Sequence, residues 1–346
     1  MKNSKIIPAL LLSLTLAACS KTSTPPNEQT SQQKAPATPP PAPGSSAPTE
    51  ATGQGVKTEM RNVMFRLTSK AAAHIETLSG ELWPTGKFDM PVFDDKTSFE
   101  VHVASGRISL SPAALTEIMN SHVFAANDAP LKELNVSIKD GQLIIKGKLH
   151  SKGDIPFETS GVLTVNPDGR LRVKTEKVKA LHVPLKSVMS ALRIDLADII
   201  NTSKIEGVDT DKNDLLMDLS TLLPPPHIRG KVSAVRVADN TITTIFGTGE
   251  KNSALDQKEN TNYMYFQGNR VRFGKLTMQD TDLMILDLDP ADPLDWNQDR
   301  YADQLAAGYS KMSEKFALRT YVKDYNKVPR SPSPRAAIAP KPTEPN

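Results

Sequence analysis

Residues 107–174 have the sequence RISLSPAALTEIMNSHVFAANDAPLKELNVSIKDGQLIIKGKLHSKGDIPFETSGVLTVNPDGRLRVK, which decides the predicted fold. The stretch begins with a short strand, Arg107 to Leu110, and continues with a helix from Ser111 to about Val123. Ser111 suits the N-cap, and Pro112 suits the first helical position, where a missing N–H costs nothing. Four alternating stretches joined by turn residues follow and predict an antiparallel meander. One helix beside a long meander indicates an α+β fold.

The predicted helix is amphipathic. Its apolar face consists of residues at helical spacing, namely Leu115, Ile118, Met119, His122 and Val123. Its polar residues are expected on the other side, namely Thr116, Glu117, Asn120 and Ser121. We therefore expect the helix to lie against the sheet with an apolar space between them.

Strand patterns also flank this stretch on both sides. The turn sequences Asp-Gly, Pro-Asp-Gly and Asp-Asn separate many of these strand patterns and indicate tight hairpins. Ser105-Gly106 likewise predicts a turn before Arg107. The predicted strands are Asn62 to Ser69, Phe99 to Ala104, Arg107 to Leu110, Leu134 to Lys139, Gln142 to Leu149, Pro156 to Val165, Arg170 to Val178, Ile228 to Val237, Thr241 to Phe246, Tyr263 to Phe266 and Arg270 to Leu276. The segment between Ser69 and Phe99 is expected to be less regular. The chain is therefore predicted to be mostly antiparallel sheet.

Two further helices are predicted. The second runs from Pro184 to about Ile200, and its apolar stripe contains Leu185, Val188, Met189, Leu192, Leu196, Ile199 and Ile200. The third runs from about Asp295 to Tyr325, with Tyr301, Leu305, Tyr309, Met312 and Phe316 on one side. We expect the third helix to pack as a C-terminal brace.

The N-terminus has the features of a bacterial lipoprotein signal. Lys2 and Lys5 precede an apolar run, Ile6 to Leu16, that is too short to span a bilayer, and Leu16-Ala17-Ala18-Cys19 resembles a lipobox. This resemblance implies acylation of Cys19, with palmitate or a similar chain, and Ser20 in the next position favours sorting to the outer membrane, facing the periplasm. The alternative is an ordinary secretory signal with an incidental cysteine. Because Cys19 is the only cysteine, the rest of the chain has no disulfide and no thiolate site.

Composition divides the chain into five segments. Residues 1–18 form the signal peptide, and residues 19–60 are rich in proline, threonine and serine, which predicts a disordered tether. Residues 61–248 are predicted to form the α+β domain, and residues 249–328 a C-terminal extension of a hairpin and a helix. Residues 329–346 are again proline-rich and predict a disordered tail.

Charge and motifs argue against several functions. Without the two signal lysines, 40 Lys+Arg face 39 Asp+Glu, so nucleic acid is not an expected partner. The six histidines have no metal-ligand spacing, and no nucleophile elbow, phosphate loop or dinucleotide fingerprint is present. We expect no enzyme, no cofactor and no metal. His122 is expected to be a hydrogen-bonded histidine at the edge of the core.

Two acidic stretches are candidates for calcium loops. Asp209 to Asp214 lacks both the glycine at position six and the glutamate at position twelve, so a polar hairpin explains it better. The aspartates between Asp280 and Asp295 alternate with leucines and isoleucine. Most of them are expected on the wet face of a strand and at the cap of the next helix, with calcium binding as the alternative.

An ordered set of apolar patterns resembles a known family. The patterns are Leu115 to Asn120, Pro130-Leu131-Lys132-Glu133-Leu134, Leu143 to Gly147, Ile155-Pro156-Phe157, the helix from Pro184, Asn213-Asp214-Leu215 and Leu222-Leu223-Pro224. Together they resemble the LmeA-like phospholipid-binding proteins and, more broadly, the tubular lipid-binding (TULIP-like) domains, over about residues 98–248. The resemblance implies a long curved antiparallel meander that wraps two amphipathic helices, with lipid tails between them.

Two functions are therefore expected as alternatives. The first is an anchored envelope lipoprotein that binds a phospholipid or similar amphiphile in an apolar groove. Its expected contacts are Leu115, Ile118, Met119, Val123, Leu185, Val188, Met189, Leu192 and Leu196. The second is a non-enzymatic assembly lipoprotein, in which the same side chains fill a closed core and an envelope protein is the partner.

Overall fold

The computed structural model describes residues 55–150, 153–180, 205–212, 214–249 and 262–329. Most of these residues are in strands and few are in helices, which agrees with an α+β class. The strands are β1 Val56–Arg66, β2 Ala72–Pro84, β3 Phe99–Leu110, β4 Leu131–Lys139, β5 Gln142–Leu149, β6 Ile155–Val165, β7 Leu171–Ala180, β8 Val208–Asp211, β9 Asp214–Met217, β10 His227–Arg229, β11 Val232–Ala238, β12 Thr241–Phe246, β13 Tyr263–Gln267, β14 Val271–Phe273, β15 Leu276–Met278, β16 Asp282–Asp287, β17 Leu294–Asn297, β18 Tyr309–Met312 and β19 Leu318–Val322. The helices among these residues are α1 Pro112–Ile118, which continues into a π turn at Met119–Val123, α2 Leu219–Leu222 and α3 Tyr301–Ala306, and a 3-10 turn follows at Tyr325–Lys327.

The largest sheet joins the two ends of the described chain. Its order is β11-β12-β3-β2-β1-β13-β16-β19-β18, and β10 and β17 pair in parallel with β3 and β1. Strand β13 lies antiparallel to β1, with Thr58 opposite Phe266. The C-terminal strands therefore belong to the same sheet as the N-terminal strands, whereas the sequence suggested a separate extension after residue 248.

The second sheet has the order β4-β5-β6-β7-β9-β8. Its first four strands form the antiparallel meander that the sequence predicts, although β4 begins three residues before Leu134. The turn from β4 to β5 is made by Asp140 and Gly141, both with positive φ, which matches the right-handed twist of the flanking strands. The hairpins predicted from Asp-Gly and Asp-Asn pairs are confirmed, because Asp239 and Asn240 also have positive φ between β11 and β12.

Several predicted strand boundaries are wrong. Strand β3 continues without a break through Ser105 and Gly106, where we predicted a turn, because β2 pairs with it on one side and β12 on the other. A Cβ at Gly106 would lie 3.0 Å from the Thr77 carbonyl oxygen, so glycine permits close pairing here instead of a turn. The predicted strand Ile228 to Val237 is divided into β10 and β11, and all of β2 was missed.

The folded part also begins earlier than predicted. Strand β1 starts at Val56, whose side chain is fully buried, so the last residues of the predicted tether belong to the sheet. The second predicted helix lies in 181–204, outside the described residues. Cys19, the rest of the tether and the C-terminal tail also lie outside them.

The predicted C-terminal helix from Asp295 to Tyr325 is wrong. This segment forms β17, the short α3, and the hairpin β18–β19. Leu318–Val322 pairs in parallel with β16, and Val322 is fully buried in the core. The helical spacing of the aromatic residues was therefore overridden by a strand pairing with a distant part of the chain, because such a pairing satisfies the backbone and buries apolar area together.

Helix α1 is confirmed, and its cap is the predicted one. The Ala114 N–H donates to Ser111 Oγ at 3.1 Å, and Pro112 occupies the first turn. The last turn is widened, because the Phe124 N–H donates to the Met119 carbonyl, five residues back, at 2.8 Å. This wider turn shifts the apolar face by one position. Phe124 is buried, whereas His122, predicted on that face, is exposed.

The polar side of α1 contacts strand β4. The Asn120 side chain donates to the Leu134 carbonyl at 2.7 Å and accepts from the Leu134 N–H at 2.9 Å. The Thr116 hydroxyl accepts from the Val136 N–H at 2.9 Å. Strand β4 is an edge of the second sheet, so these two side chains satisfy backbone groups that an edge otherwise exposes.

One continuous apolar core unites these two sheets, the small two-stranded sheet β14–β15, and the helices α1 and α2. Five aromatic rings of this core contact one another in stacked or edge-on pairs, namely Phe93, Phe99, Phe273, Trp296 and Tyr301. In the part of the chain that the structure describes, no helix has the length and apolar character needed to cross a bilayer.

Candidate functional site

An apolar cavity lies between the two sheets and is the candidate site. The large sheet contributes to it through β2, β3, β10 and β12, the second sheet through β5, β6, β7 and β9, and the helices α1 and α2 lie against it. Its lining consists of Leu67, Ala73, Ile108, Leu110, Leu115, Leu143, Leu163, Leu171, Met217, Leu219, Leu222, Leu223, Ile228, Ile242, Thr244 and Phe246. The strands position these side chains because alternate residues of a strand point to one face.

The cavity offers no polar group to a ligand or to water. Thr244 is the one residue of this lining with a side-chain hydroxyl, and its Oγ1 donates to the Ile108 carbonyl at 3.0 Å. A water molecule needs two to four polar partners, and it would find none among these side chains. The chemistry of the site is therefore restricted to apolar contact.

The cavity is also small. It encloses about 50 Å³, whereas pockets for drug-sized ligands span roughly 300–1,000 Å³. The space holds only a short apolar segment, so a whole acyl chain would enter only if the lining moved apart. The lining includes α2, a single helical turn capped by Asp218, whose carboxylate accepts from the Ser220 N–H at 2.9 Å.

The predicted lipid contacts divide into three groups. Leu115 lines the cavity, as predicted. Ile118 and Met119 are buried in the surrounding core, and Val123 packs partly buried against it, without lining the cavity. The remaining predicted contacts lie outside the described residues: Leu185, Val188, Met189, Leu192 and Leu196.

Most of the lining was not predicted as site residues. Leu143, Leu163 and Leu171 belong to strands whose alternation was recognised, but alternation alone does not say which buried leucines border a gap. Leu219, Leu222 and Leu223 lie in a turn too short to give a helical pattern. The available signal was the density of leucine around residues 215–223, which the family resemblance included at Leu215 and at Leu222-Leu223-Pro224.

A second, polar cleft of about 730 Å³ opens where β1, β2 and β3 meet the Arg229-Gly230 bend. Trp83 and His102 lie beside each other in it, with ring centroids 5.7 Å apart. The Trp83 indole N–H donates to Glu81 at 2.9 Å. The indole N–H therefore has a partner within the cleft, and the shape of the cleft alone does not favour one ligand class.

Of the six aspartates at 280–295, which we predicted to be mostly solvated, three are exposed, one is half-buried and two are buried. Asp287 and Asp295 are buried, and Asp287 lies near Asp292 and Asp324, with one carboxylate oxygen of each within 4.8 Å of the others. This arrangement has the ligand type that calcium prefers. However, the Lys327 ammonium lies 2.9 Å from Asp324 and 3.7 Å from Asp292, so a positive charge is already supplied from within the chain.

Asp287 is expected to make the stability of the fold depend on pH. Burial raises the pKa of the Asp287 carboxyl from 3.8 to about 6. Asn262 and the Asp289 N–H donate to this carboxylate and oppose the shift, whereas nearby Asp324 and Asp292 reinforce it. Because the folded state holds the proton more tightly, this contribution is complete only below the unfolded pKa of 3.8 and is lost as the pH rises through 6.

The expected size of the whole effect is about 3 kcal/mol, since two pKa units correspond to about that much, and about 2 kcal/mol of it falls between pH 4 and pH 6.5. The measurement is the free energy of unfolding by denaturant across this range, for the unmodified chain and for Asp287→Asn. As the pH rises, the free energy of unfolding of the unmodified chain should fall relative to that of Asp287→Asn. A difference that is constant with pH would contradict the prediction.

Comparisons with protein-family models, with curated proteins and with solved structures found no match to this chain.

Proposed function

We propose that the protein is a lipid-anchored protein of the bacterial envelope that binds a phospholipid or another amphiphile and helps to move it or to maintain the envelope. The acyl part of the ligand would occupy the cavity between the two sheets, beside Leu115 and α2. The anchor would be an acylated Cys19 in the outer membrane, with the protein facing the periplasm. The proposed role is binding and transfer, with no catalytic step and no cofactor.

The observation that supports this proposal is the chemistry of the cavity lining. Every side chain of the lining is apolar except Thr244, whose hydroxyl donates to a backbone carbonyl. Such a space repels water and accepts hydrocarbon. The resemblance to the LmeA-like and TULIP-like proteins supports the same ligand class, and with it the proposed wrapping of helices by the curved meander.

The proposal requires the cavity to expand, because about 50 Å³ is too small for an acyl chain. Helix α2 is the shorter of the two helices that line the cavity. It has one turn, and it is followed by Leu223-Pro224-Pro225-Pro226, whose three prolines donate no backbone hydrogen bond. We therefore expect α2 to move outward when a chain enters.

The second candidate is an assembly lipoprotein with a closed core and an envelope protein as partner. The small volume of the cavity favours this function, since side chains of a packed core leave only voids of this order. In that case the cavity would be a packing defect and would bind nothing.

Lipid content distinguishes the two candidates. After gentle purification of the full chain, native mass spectrometry and lipid extraction should find about one amphiphile per protein. Leu163→Phe places a larger side chain in the cavity and should weaken uptake of a fluorescent fatty acid by about tenfold or more. The matched control is Leu131→Phe, which overfills the same core on the same sheet without bordering the cavity.

The expected control result is a less stable protein that still takes up the probe. Thermal unfolding of both variants separates loss of the fold from loss of the cavity. A chain that contains no lipid after purification and takes up neither fatty acid nor phospholipid would overturn the lipid-binding proposal and support the assembly function.

A further inference from the structure

The hairpin β18–β19 ends in an exposed surface that contains large apolar side chains. Eight consecutive residues, 309–316, are exposed, and they include Tyr309, Met312 and Phe316. The Met312 side chain is 65% exposed and that of Phe316 is 80% exposed. We call residues 312–316 the hairpin tip. Large apolar side chains grouped at one exposed turn indicate an interaction surface.

The hairpin tip is held in a fixed conformation. The Ser313 N–H donates to the Ala317 carbonyl at 2.9 Å, the Phe316 N–H donates to the Ser313 carbonyl at 3.0 Å, and the Ala317 N–H donates to Ser313 Oγ at 3.0 Å. Within this turn Phe316 has a φ of 62°, a left-handed conformation that is unfavourable for a bulky side chain. Glycine or asparagine would form the turn with less strain and would expose no ring, so folding alone does not account for phenylalanine here.

Basic residues lie beside the apolar ones. Lys311 lies over the rings of Tyr309 and Tyr321, at 5.5 and 5.6 Å from their centroids, and Lys315 is exposed in the tip. Glu314 is the single carboxylate between them. Aromatic rings with apolar side chains and lysines at their margin are the combination that favours the headgroup region of an anionic bilayer.

We propose that the hairpin tip docks on the surface of an anionic lipid bilayer, with Phe316 and Met312 among the headgroups and Lys311 and Lys315 beside the phosphates. This contact is separate from the cavity, and it needs no ligand in the cavity. It is a reversible contact made by the folded domain itself.

The register of the large sheet shows which end of the sheet bears the hairpin tip. Lys57, at the start of β1, lies opposite Gln267 of β13, which in turn lies opposite Asp282 of β16. The next residue of β16, Leu283, pairs with Leu318 of β19, and Leu318 lies opposite Met312 of β18. The start of β1 and the hairpin tip are therefore at the same end of the sheet, four strand spacings or about 20 Å apart. If Cys19 is the anchor, as proposed, the chain enters the sheet at the end that bears the tip.

A second copy of the chain is a less suitable occupant. Strand β18 pairs only with β19 among the described residues, so its outer edge has free backbone groups. Lys311 lies within this edge strand, so a second copy that paired with the edge would have to accommodate its charge. A lysine on an edge strand is a common protection against such pairing.

The test uses the full chain with Cys19→Ser, so that no acyl chain can supply the binding, and all variants share this background. We expect it to co-sediment with vesicles of phosphatidylethanolamine and phosphatidylglycerol (3:1), and less with phosphatidylcholine alone. Phe316→Asn keeps the left-handed turn and removes the ring, so binding should fall about tenfold. Replacing Lys311 and Lys315 with serine should abolish the preference for anionic vesicles and its sensitivity to salt.

The matched control is Leu288→Asn, because Leu288 is an exposed leucine, 39% accessible, beyond the opposite end of β16. It should leave vesicle binding unchanged. The proposal is wrong if the parent chain does not bind anionic vesicles, if Phe316→Asn binds as well as the parent, or if light scattering shows a dimer that Phe316→Asn dissociates. Because no lipid needs to enter the cavity, the outcome of the vesicle-binding experiment does not depend on the outcome of the lipid-uptake experiment.

Discussion

The Cys19→Ser protein is expected to leave the membrane fraction almost completely and to appear, still folded, in the periplasmic fraction. Cys19 is the only cysteine in the chain, so no second site can receive the same modification. Each buried methylene contributes about 0.8 kcal/mol, and two or three acyl chains hold a protein on a bilayer essentially permanently. Removing them leaves only reversible contacts.

The measurement is the distribution of the protein between fractions after carbonate and high-salt washing, which also removes contacts of the kind proposed for the hairpin tip. Mass spectrometry of the unmodified protein should show an acylated Cys19 at the new N-terminus. Thr24→Ser, a small change just after the acylation site, is the control and should remain in the membrane. If the washed Cys19→Ser protein stays in the membrane fraction, another segment holds it there and the lipobox interpretation is wrong.

Gln304→Leu is expected to destabilise the fold by about 3–5 kcal/mol. Gln304 is fully buried on α3. Its Oε1 accepts from the Asn297 N–H at 2.9 Å, and its Nε2 donates to the carbonyls of Asp295 and Lys323 at 2.8 and 2.9 Å. One side chain thus joins β17, α3 and the end of β19. A leucine of similar size would leave three backbone groups without a partner, each at a cost of about 1–3 kcal/mol.

Two variants separate the lost hydrogen bonds from other effects. Gln267→Leu makes the same replacement at an exposed position of β13 and should change stability by less than about 0.5 kcal/mol. Gln304→Glu keeps the acceptor for Asn297 but loses both donated bonds and places a carboxylate in the core, so it should also be strongly destabilising. The measurement is unfolding in denaturant, and a Gln304→Leu chain as stable as Gln267→Leu would contradict the prediction.

Local features of the fold were predictable because their causes are local. Asp140-Gly141 makes a tight turn wherever it occurs between two alternating runs, since both residues accept positive φ. Ser111 and Pro112 mark a helix start through groups within three residues of each other. The meander β4 to β7 and helix α1 follow from such signals, and the same signals place Leu115 on the apolar side of α1.

Features that depend on distant pairing were not predictable in the same way. The spacing of Tyr301, Tyr309 and Phe316 suits a helix, and only the presence of β16 beside Leu318–Val322 makes this segment a strand. Likewise, Ser105-Gly106 is a turn signal that becomes part of a continuous strand because β2 and β12 both pair with it. The energy of such pairings exceeds the local preferences, which amount to about 1 kcal/mol or less per residue.

The sequence by itself determined the amphipathic helix, the hairpin turns, the near-neutral charge and the single cysteine available for an anchor. Only the tertiary structure decided that the two ends of the described chain share one sheet, that Thr116 and Asn120 close the edge of β4, and which leucines enclose the cavity. The physical reason is that turns and caps are bonds between near neighbours in the chain. A cavity, by contrast, is a space between side chains that come together only when strands and helices from separate parts of the sequence pack against one another.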